Sequence, residues 1–198
     1  MNVALRRPMS VAEFLAWEER QELRYEFDGF APVAMTGGTI AHDLITFNVR
    51  KALDARLFGK PCTPHGPNVK IVTAGKVRYP DALVTRTPID PNATTVDSPV
   101  VIFEVVSEDT ARTDRIVKVR EYQATPTIQR YVIIEQKSIG ASVLTRRGSD
   151  WIATALTEGG SLHMPEIGIE IAIDEFYTGL DYSSHAGSET PAADTNGP

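Results

Sequence analysis

The sequence lacks several features that would define particular classes of protein. Cys62 is the only cysteine among 198 residues, which excludes an internal disulfide and a cysteine-based zinc site. No apolar run is long enough to cross a bilayer, so we predict no transmembrane helix. The opening segment, MNVALRRPMS, has two arginines but no apolar stretch after them, unlike a signal peptide. We therefore expect a cytoplasmic protein with no membrane partner.

Positive charge is also in short supply, since the formal net charge is −6. This balance weakly disfavours a protein that coats nucleic acid. The segment 181–198 holds three acidic residues and no Lys or Arg, and the rest of the chain contains 20 basic and 23 acidic residues. Because small polar residues and proline dominate this segment, we predict one domain over residues 1–180 and a disordered tail over residues 181–198.

The hydrophobic pattern predicts a mixture of helices and strands. Ser10 and Glu13 form a capping box at the start of a first helix. Apolar residues at helical spacing between Ile45 and Leu57 predict a second helix, and Ile116, Val119 and Tyr122 are expected to share one face of a third. Three hairpins are predicted, with turns at Asp28-Gly29, Ala74-Gly75 and Gly148. This order of elements favours an α/β or α+β protein with one central mixed sheet.

One carboxylate lies inside a strongly apolar segment. Glu104 belongs to VIFEVVS, which is typical of a strand buried on both faces. Alternation along the strand gives Glu104 the same face as Val100, Ile102 and Val106. An ionised carboxylate buried there without a partner would destabilise the fold by roughly several kcal/mol. Glu104 is therefore either a carboxylate at a strand end, where it reaches solvent or pairs with an arginine, or it is part of a functional site.

A second acid favours the interpretation as a site. Asp81 lies in the apolar segment VRYPDALVT, directly after Pro80. Proline cannot donate a ladder hydrogen bond, so Pro80 marks a sheet edge, a bulge or a strand start. Two carboxylates on two strands would repel each other unless a cation lay between them. Hard oxygen ligands of this kind favour Mg²⁺ or Mn²⁺ over zinc.

Several segments, in order, resemble a known family. Pro80-Asp81, followed by Glu104 in an apolar strand, resembles the PD-(D/E)xK nuclease superfamily. The flanking sequence narrows the resemblance to the Uma2 family of restriction-endonuclease-like proteins, from Ser10 to Leu180. The segments are RYEFDGFAPVAM, AHDLITFNV, VRYPDALV, PVVIFEVVSEDTARTDRIVKVREYQ and IQRYVIIE. The resemblance implies a restriction-endonuclease-like fold, in which helices flank a central mixed sheet.

The sequence departs from the superfamily signature at one position. The signature places a lysine two residues after the acid, where this chain has Val106. The resemblance implies that Lys118, in the predicted helix that follows, takes over the lysine's role. The alternative is that Lys118 forms a surface ion pair with Asp114, four residues earlier. The weaker substitutes for the lysine are Lys70, Lys76 and Arg78.

The resemblance also implies roles for residues outside the acidic pair. Glu26 matches an acid that lies near the active cleft in the family. The alternative is that Glu26 is a hairpin residue that faces solvent. His42 matches a histidine at a helix start, where it would contact phosphate or carry protons, although such a histidine is often structural. Ser107 would cap the next helix or donate to phosphate, and Arg115 would add positive charge near the site.

The function implied by the resemblance is that of a metal-dependent endonuclease that hydrolyses nucleic-acid phosphodiester bonds, with DNA as the expected substrate. Asp81, Glu104 and the backbone carbonyl of Val105 would hold Mg²⁺ or Mn²⁺, and Lys118 would orient the attacking water. A homodimer is also implied. Two alternatives stay open. Val106 favours a catalytically inactive nucleic-acid-binding or assembly module on the same fold, and the acidic net charge favours a structural homodimer with no nucleic-acid partner.

Overall fold

The computed structural model describes residues 8–88, 90–106 and 113–182. The helices are α1 (Val11–Glu18), α2 (Ile40–Leu57) and α3 (Val119–Gln123), with a π-helical segment (Thr113–Lys118) before α3 and a 3-10 helix (Ile173–Tyr177) near the end. The strands are β1 (Tyr25–Phe27), β2 (Pro32–Ala34), β3 (Thr63–His65), β4 (Ile71–Thr73), β5 (Lys76–Arg78), β6 (Ala82–Thr85), β7 (Pro99–Val106), β8 (Arg130–Glu135), β9 (Gly140–Arg147), β10 (Asp150–Thr157), β11 (Ser161–Met164) and β12 (Ile169–Ala172).

A six-stranded mixed sheet forms the centre of the fold, with strand order β10-β9-β8-β7-β6-β3. β7 and β8 are parallel, whereas the other neighbours in this sheet are antiparallel. Every residue of β7 is buried, as the apolar segment around Glu104 predicts. The predicted α/β class with a central mixed sheet is confirmed.

A second sheet, of order β2-β1-β5-β4, joins the two predicted N-terminal hairpins. The turn between β4 and β5 consists of Ala74 and Gly75, both with positive φ, as predicted. The turn between β1 and β2 is longer than predicted. It spans residues 28–31, and the Asp28 carboxylate accepts hydrogen bonds from the backbone N–H groups of Phe30 and Ala31. An Asx-type turn therefore replaces the two-residue turn.

The two faces of the central sheet carry separate apolar clusters. α2 packs on one face, where Leu53 and Ile45 contact a cluster that includes Phe103. The other face carries Ile102 and Val106 together with Tyr122 of α3. Residues of β7 thus alternate between the clusters, and Glu104 points to the face that α3 covers.

Two details of the sequence prediction need correction. Val100 packs in the α2 cluster rather than with Ile102, because a bulge opposite the Val84/Thr85 step leaves it without a partner on β6. Ile116 is about half exposed and does not share the buried face of Tyr122. The chain from Thr113 to Lys118 is π-helical, and this wider turn displaces residues from α-helical spacing.

The ends of the described chain pack on this core. At the start, the predicted capping box forms between Ser10 and Glu13, and Phe14 is completely buried. At the end, the Tyr182 hydroxyl donates to the backbone carbonyl of Gln136. Residues 183–198 of the predicted tail lie outside the described residues. Within the described part of the chain, no helix is long and apolar enough to span a membrane.

Candidate active site

A cleft of about 530 Å³ opens at the end of β7, beside the start of α2. Its wall includes the loop that precedes α2, residues 35–39. The titratable and amide side chains that line the cleft include Glu26, His42, Asp81, Glu104, Lys118 and Gln136. The central and N-terminal sheets both contribute to it, so residues far apart in the sequence meet there.

Asp81 and Glu104 lie on neighbouring strands at this cleft. Ala82, the first residue of β6, pairs with Phe103 in the antiparallel register. Asp81 immediately precedes Ala82, and Glu104 immediately follows Phe103, so the two acids are adjacent at this end of the β6–β7 ladder. Oδ2 of Asp81 accepts a hydrogen bond of 2.7 Å from the backbone N–H of Val105. This hydrogen bond holds Asp81 against the strand that carries Glu104.

Glu104 is buried, with a relative exposure of 4%, and its carboxylate has partners. Its Oε1 accepts a hydrogen bond from Nζ of Lys118 at 2.9 Å and from the hydroxyl of Tyr122 at 2.8 Å. Burial raises the pKa of Tyr122 well above its ordinary value, and the charge of Glu104 raises it further, so the phenol stays a donor. These contacts explain how an acid is tolerated in the apolar strand.

Lys118 is a buried residue of the cleft. Its relative exposure is 7%, and its Nζ lies 3.6 Å from Oε1 of Glu26 as well as close to Glu104. Lys118 is therefore not a surface residue, and the side chain of Asp114, its partner in the alternative, lies outside the described residues. The weaker substitutes are engaged elsewhere, since Lys70 pairs with Glu18 and both Lys76 and Arg78 pair with Glu121.

Glu26 belongs to a buried network of charges. Its Oε2 accepts from Arg78 at 3.0 Å, and its Oε1 accepts from the backbone N–H of Tyr79 at 3.2 Å. Arg78 also donates from Nε and Nη2 to the two oxygens of Glu121, at 2.7 and 2.8 Å. Burial alone would raise the pKa of Glu121, but the hydrogen bonds from Arg78 and Lys76 lower it below its ordinary value. Glu26 is thus fixed by the sheet rather than facing solvent.

His42 lies in the first turn of α2, which Thr39 caps by accepting from the His42 backbone N–H. The imidazole Nε2 lies 3.3 Å from Oδ2 of Asp81. This hydrogen bond to Asp81 raises the pKa of His42 above its ordinary value, while partial burial opposes the shift. A backbone hydrogen bond to Val105 also raises it. His42 thus contacts the same two residues, Asp81 and Val105, that the resemblance implies as metal ligands.

The remaining predicted contacts are less central. Arg115 is exposed and forms an ion pair with Glu135, at the end of β8. Ser107, predicted to cap the next helix or contact phosphate, lies outside the described residues.

Two features of the site escaped the sequence prediction. The first is the Arg78–Glu121 pair, because nothing in the separate segments indicates that β5 faces α3. The second is the hydroxyl contact of Tyr122 with Glu104. The spacing of Lys118 and Tyr122 by four residues in a helical segment was a usable signal, because such residues share a helix face.

The donor chemistry at the cleft suits a hard divalent cation. The implied ligands are two carboxylates and one backbone carbonyl, which are the oxygen ligands that Mg²⁺ and Mn²⁺ prefer. Among the described residues, no group of three or more His, Cys, Asp and Glu side chains is arranged to hold a metal. The implied set requires only the two acids, Asp81 and Glu104, and both now accept hydrogen bonds from the protein.

A family model and two relatives match most of the chain. The family model "Uma2: Putative restriction endonuclease" matches residues 11–174. Two proteins of Synechocystis sp., described as uncharacterized proteins slr1290 and sll1609, are 29% and 25% identical to this chain. The alignments cover 88% and 79% of this chain and 94% and 92% of those proteins.

A solved structure shares the fold. A crystal structure of "a putative nuclease belonging to DUF820" from Anabaena variabilis superposes with a TM-score of 0.69 at 15% identity. It covers 85% of this chain and 97% of that chain. At this identity the likeness supports the fold alone, whereas the family match spans most of the sequence. The chain therefore belongs to the Uma2 family, as the resemblance of its ordered segments indicated.

Proposed function

We propose that this protein is a divalent-metal-dependent endonuclease that hydrolyses the phosphodiester bonds of nucleic acid, with DNA as the expected substrate. Membership of the Uma2 family supports a nuclease-like function. The observation that carries the finer proposal is the position of Asp81 beside Glu104 in one cleft, with Lys118 on the Glu104 carboxylate. A lysine, several acids and a histidine in one cleft suit chemistry on a phosphate group.

Each residue of the cleft has a role in this proposal. Asp81, Glu104 and the backbone carbonyl of Val105 would hold Mg²⁺ or Mn²⁺. When bound, such an ion lowers the pKa of a water molecule and stabilises the charge that develops on the phosphate. Lys118 orients the attacking water and adds a second positive charge. Glu26 contributes a further carboxylate, which Arg78 keeps in place.

Other residues support contact with the substrate. His42 lies at the start of α2 next to Asp81, where its imidazole can approach a phosphate oxygen or carry a proton. Arg115, close to the end of β8, adds positive charge that favours a nucleic-acid backbone. Ser107 stays a prediction. A homodimer would present two clefts to two strands, which suits cleavage of duplex DNA.

A second function is favoured by one observation. Val106 stands where the superfamily signature has its lysine, and it is buried in an apolar cluster with Ile102. A site whose lysine has moved to another element could bind nucleic acid without cutting it. The alternative is therefore an inactive nucleic-acid-binding or assembly module on the same fold.

A cleavage assay tests the proposal. Purified protein is incubated with plasmid DNA in Mg²⁺, in Mn²⁺ and in EDTA, together with the variants Asp81→Asn and Glu104→Gln. The matched control is Asp54→Asn, because Asp54 is an exposed carboxylate of α2 outside the cleft. We expect metal-dependent cleavage that both cleft variants reduce at least about 100-fold, the scale found when an enzyme loses one group that stabilises its transition state. The control should cut normally.

The contrary outcomes are separable in the same experiment. Full activity in either cleft variant would overturn the two-carboxylate site. Binding of DNA without cleavage in either metal would favour the inactive module. No binding of any DNA at low salt, where electrostatic attraction is strongest, would favour a structural protein.

A further inference from the structure

The ammonium group of Lys118 lies between two carboxylates of the cleft. It donates to Oε1 of Glu104 at 2.9 Å and lies 3.6 Å from Oε1 of Glu26. The two acids come from different sheets, since Glu104 is on β7 and Glu26 is on β1. Lys118 therefore has a second carboxylate within reach of a small side-chain movement.

The surroundings differ between the two carboxylates. The Glu104 carboxylate is also held by Tyr122, a neutral donor that keeps its hydroxyl proton. The Glu26 carboxylate is held by Arg78 and by the backbone N–H of Tyr79. Both carboxylates thus keep their other partners if the ammonium group of Lys118 moves from Glu104 to Glu26. Only the end of the Lys118 side chain, which carries the ammonium group, must move.

A divalent cation on Glu104 would conflict with the present position of Lys118. Both would need the same carboxylate, and like charges at short range repel strongly where solvent screening is weak. Lys118 is buried, so water cannot easily replace Glu104 as its partner. Glu26 is a carboxylate close enough to receive the ammonium group.

We propose that Lys118 is the counter-ion of Glu104 in the metal-free protein and transfers to Glu26 when a divalent cation binds. The inference rests on the proposed metal site and adds a competition that sets its affinity. The lysine keeps the buried acid neutralised before binding, and afterwards it remains in the cleft because Glu26 also lines it. Metal affinity is therefore lower than the carboxylates alone would give.

Isothermal titration calorimetry with Mn²⁺ alone tests the proposal. The titration is done at about pH 8, where carboxyl groups are ordinarily ionised. The variant Lys118→Met keeps the apolar stem and removes the charge. We expect it to bind Mn²⁺ about tenfold more tightly than the wild type, because a competing charge is gone. Equal or weaker binding in a folded Lys118→Met variant, with the wild type binding, would overturn the competition.

A matched control separates local competition from overall charge. Lys70 is a second buried lysine in an ion pair, with Glu18 at 2.5 Å, and it does not line the cleft. Lys70→Met removes the same charge, so its Mn²⁺ affinity should equal that of the wild type. A tenfold gain in this variant too would assign the effect to net charge and overturn the inference.

A double-mutant cycle tests the role of Glu26 as the receiving group. Glu26→Gln should weaken Mn²⁺ binding about fivefold when Lys118 is present, because the lysine loses its alternative partner. In the Lys118→Met background the same substitution should have no effect. A loss that persists in that background would mean that Glu26 acts on the metal directly, and would contradict the transfer.

Two further measurements keep the outcomes distinct. Crystals of the wild type with and without Mn²⁺ should show Nζ of Lys118 nearer to Glu26 with the metal and nearer to Glu104 without it. A lysine that stays on Glu104 beside bound Mn²⁺ overturns the transfer even if the variants fail to fold. If the wild type binds no Mn²⁺ at all, the proposed metal site fails and the inference fails with it.

Discussion

Nε2 of His42 lies 3.3 Å from Oδ2 of Asp81, so the protonated imidazole is stabilised by the carboxylate. The hydrogen bond to Asp81 raises the pKa of His42 in the folded protein above its ordinary value of 6.5. A histidine with a raised folded pKa contributes stability that is fully present below its unfolded pKa. This contribution is lost as the pH rises through the folded pKa.

The pair therefore predicts a pH-dependent stability for the metal-free protein. The Tm of His42→Gln should lie below that of the wild type near about pH 5.5, and the gap should close by about pH 8.5. Thermal melts in EDTA across this range measure the gap. His163→Gln, at an exposed position on β11, is the control and should show no such trend. A gap that widens with rising pH would contradict the predicted direction.

Tyr122→Phe should weaken the fold and the site by removing one hydroxyl. The hydroxyl donates to the buried Glu104 carboxylate at 2.8 Å, and the ring packs edge-on against Tyr131, a contact that Phe keeps. We expect the free energy of unfolding to fall by about 1.5–3 kcal/mol, as for a hydrogen bond to a charged group. Urea denaturation measures the change.

A second tyrosine provides the control for this substitution. Tyr25 also packs edge-on against an aromatic ring, that of Trp17, and its hydroxyl has no hydrogen-bond partner among the described residues. Tyr25→Phe should change the free energy of unfolding by less than about 0.5 kcal/mol. Equal effects of the two substitutions would show that the contact with Glu104 contributes nothing to stability.

Arg78 and Lys76 both pair with Glu121, but replacing each of them should lower the free energy of unfolding by different amounts. Arg78 is almost fully buried and also holds Glu26, so Arg78→Ala leaves two acids without their main partner. We expect a loss of about 3–5 kcal/mol, the scale for breaking a buried ion pair. Lys76 is partly exposed, and Lys76→Ala should be destabilising by less than about 1 kcal/mol.

Denaturant unfolding of the two variants, compared with the wild type, measures this difference. Losses of similar size would mean that the buried network does not depend on Arg78. If Lys76→Ala abolishes cleavage without changing stability, Lys76 rather than Lys118 would take the role of the signature lysine.

The turn between β4 and β5 offers a stabilising substitution. Ala74 has a φ of +47° and Gly75 a φ of +76°, as both central residues of a type I′ turn require. Ala74→Asn should raise the free energy of unfolding by about 0.5–1 kcal/mol, because asparagine tolerates a positive φ better than alanine. Gly75→Ala should lower it by a similar amount. Thermal melts of both variants test the pair, and a stabilised Gly75→Ala would contradict the turn assignment.

Much of the fold was predictable from local patterns. The capping box at Ser10, the apolar stripe of α2 and the turn at Ala74-Gly75 are each determined within a few residues, and the structure confirms them. The continuous apolar run around Glu104 also indicated a strand buried on both faces. Short-range physical rules suffice for features of this kind.

The partners of the site residues were less predictable because they depend on tertiary packing. Glu104 and Asp81 stand out as acids in apolar strands, but the contacts of Glu26 with Arg78 and Lys118 join separate elements. The π-helical segment before α3 also changes which residues face inward. Single-sequence periodicity assumes regular α-helical spacing, so it placed Ile116 wrongly.

The parallel pairing of β7 with β8 has a consequence for folding. Parallel neighbours require a crossover, and residues 107–129 make it, including α3. The same crossover delivers Lys118 and Tyr122 to Glu104. A nascent chain that buries β7 before this connection closes would trap a bare negative charge in its interior. Pairing of β8 with β7 and neutralisation of that charge therefore both depend on closing the same non-local connection.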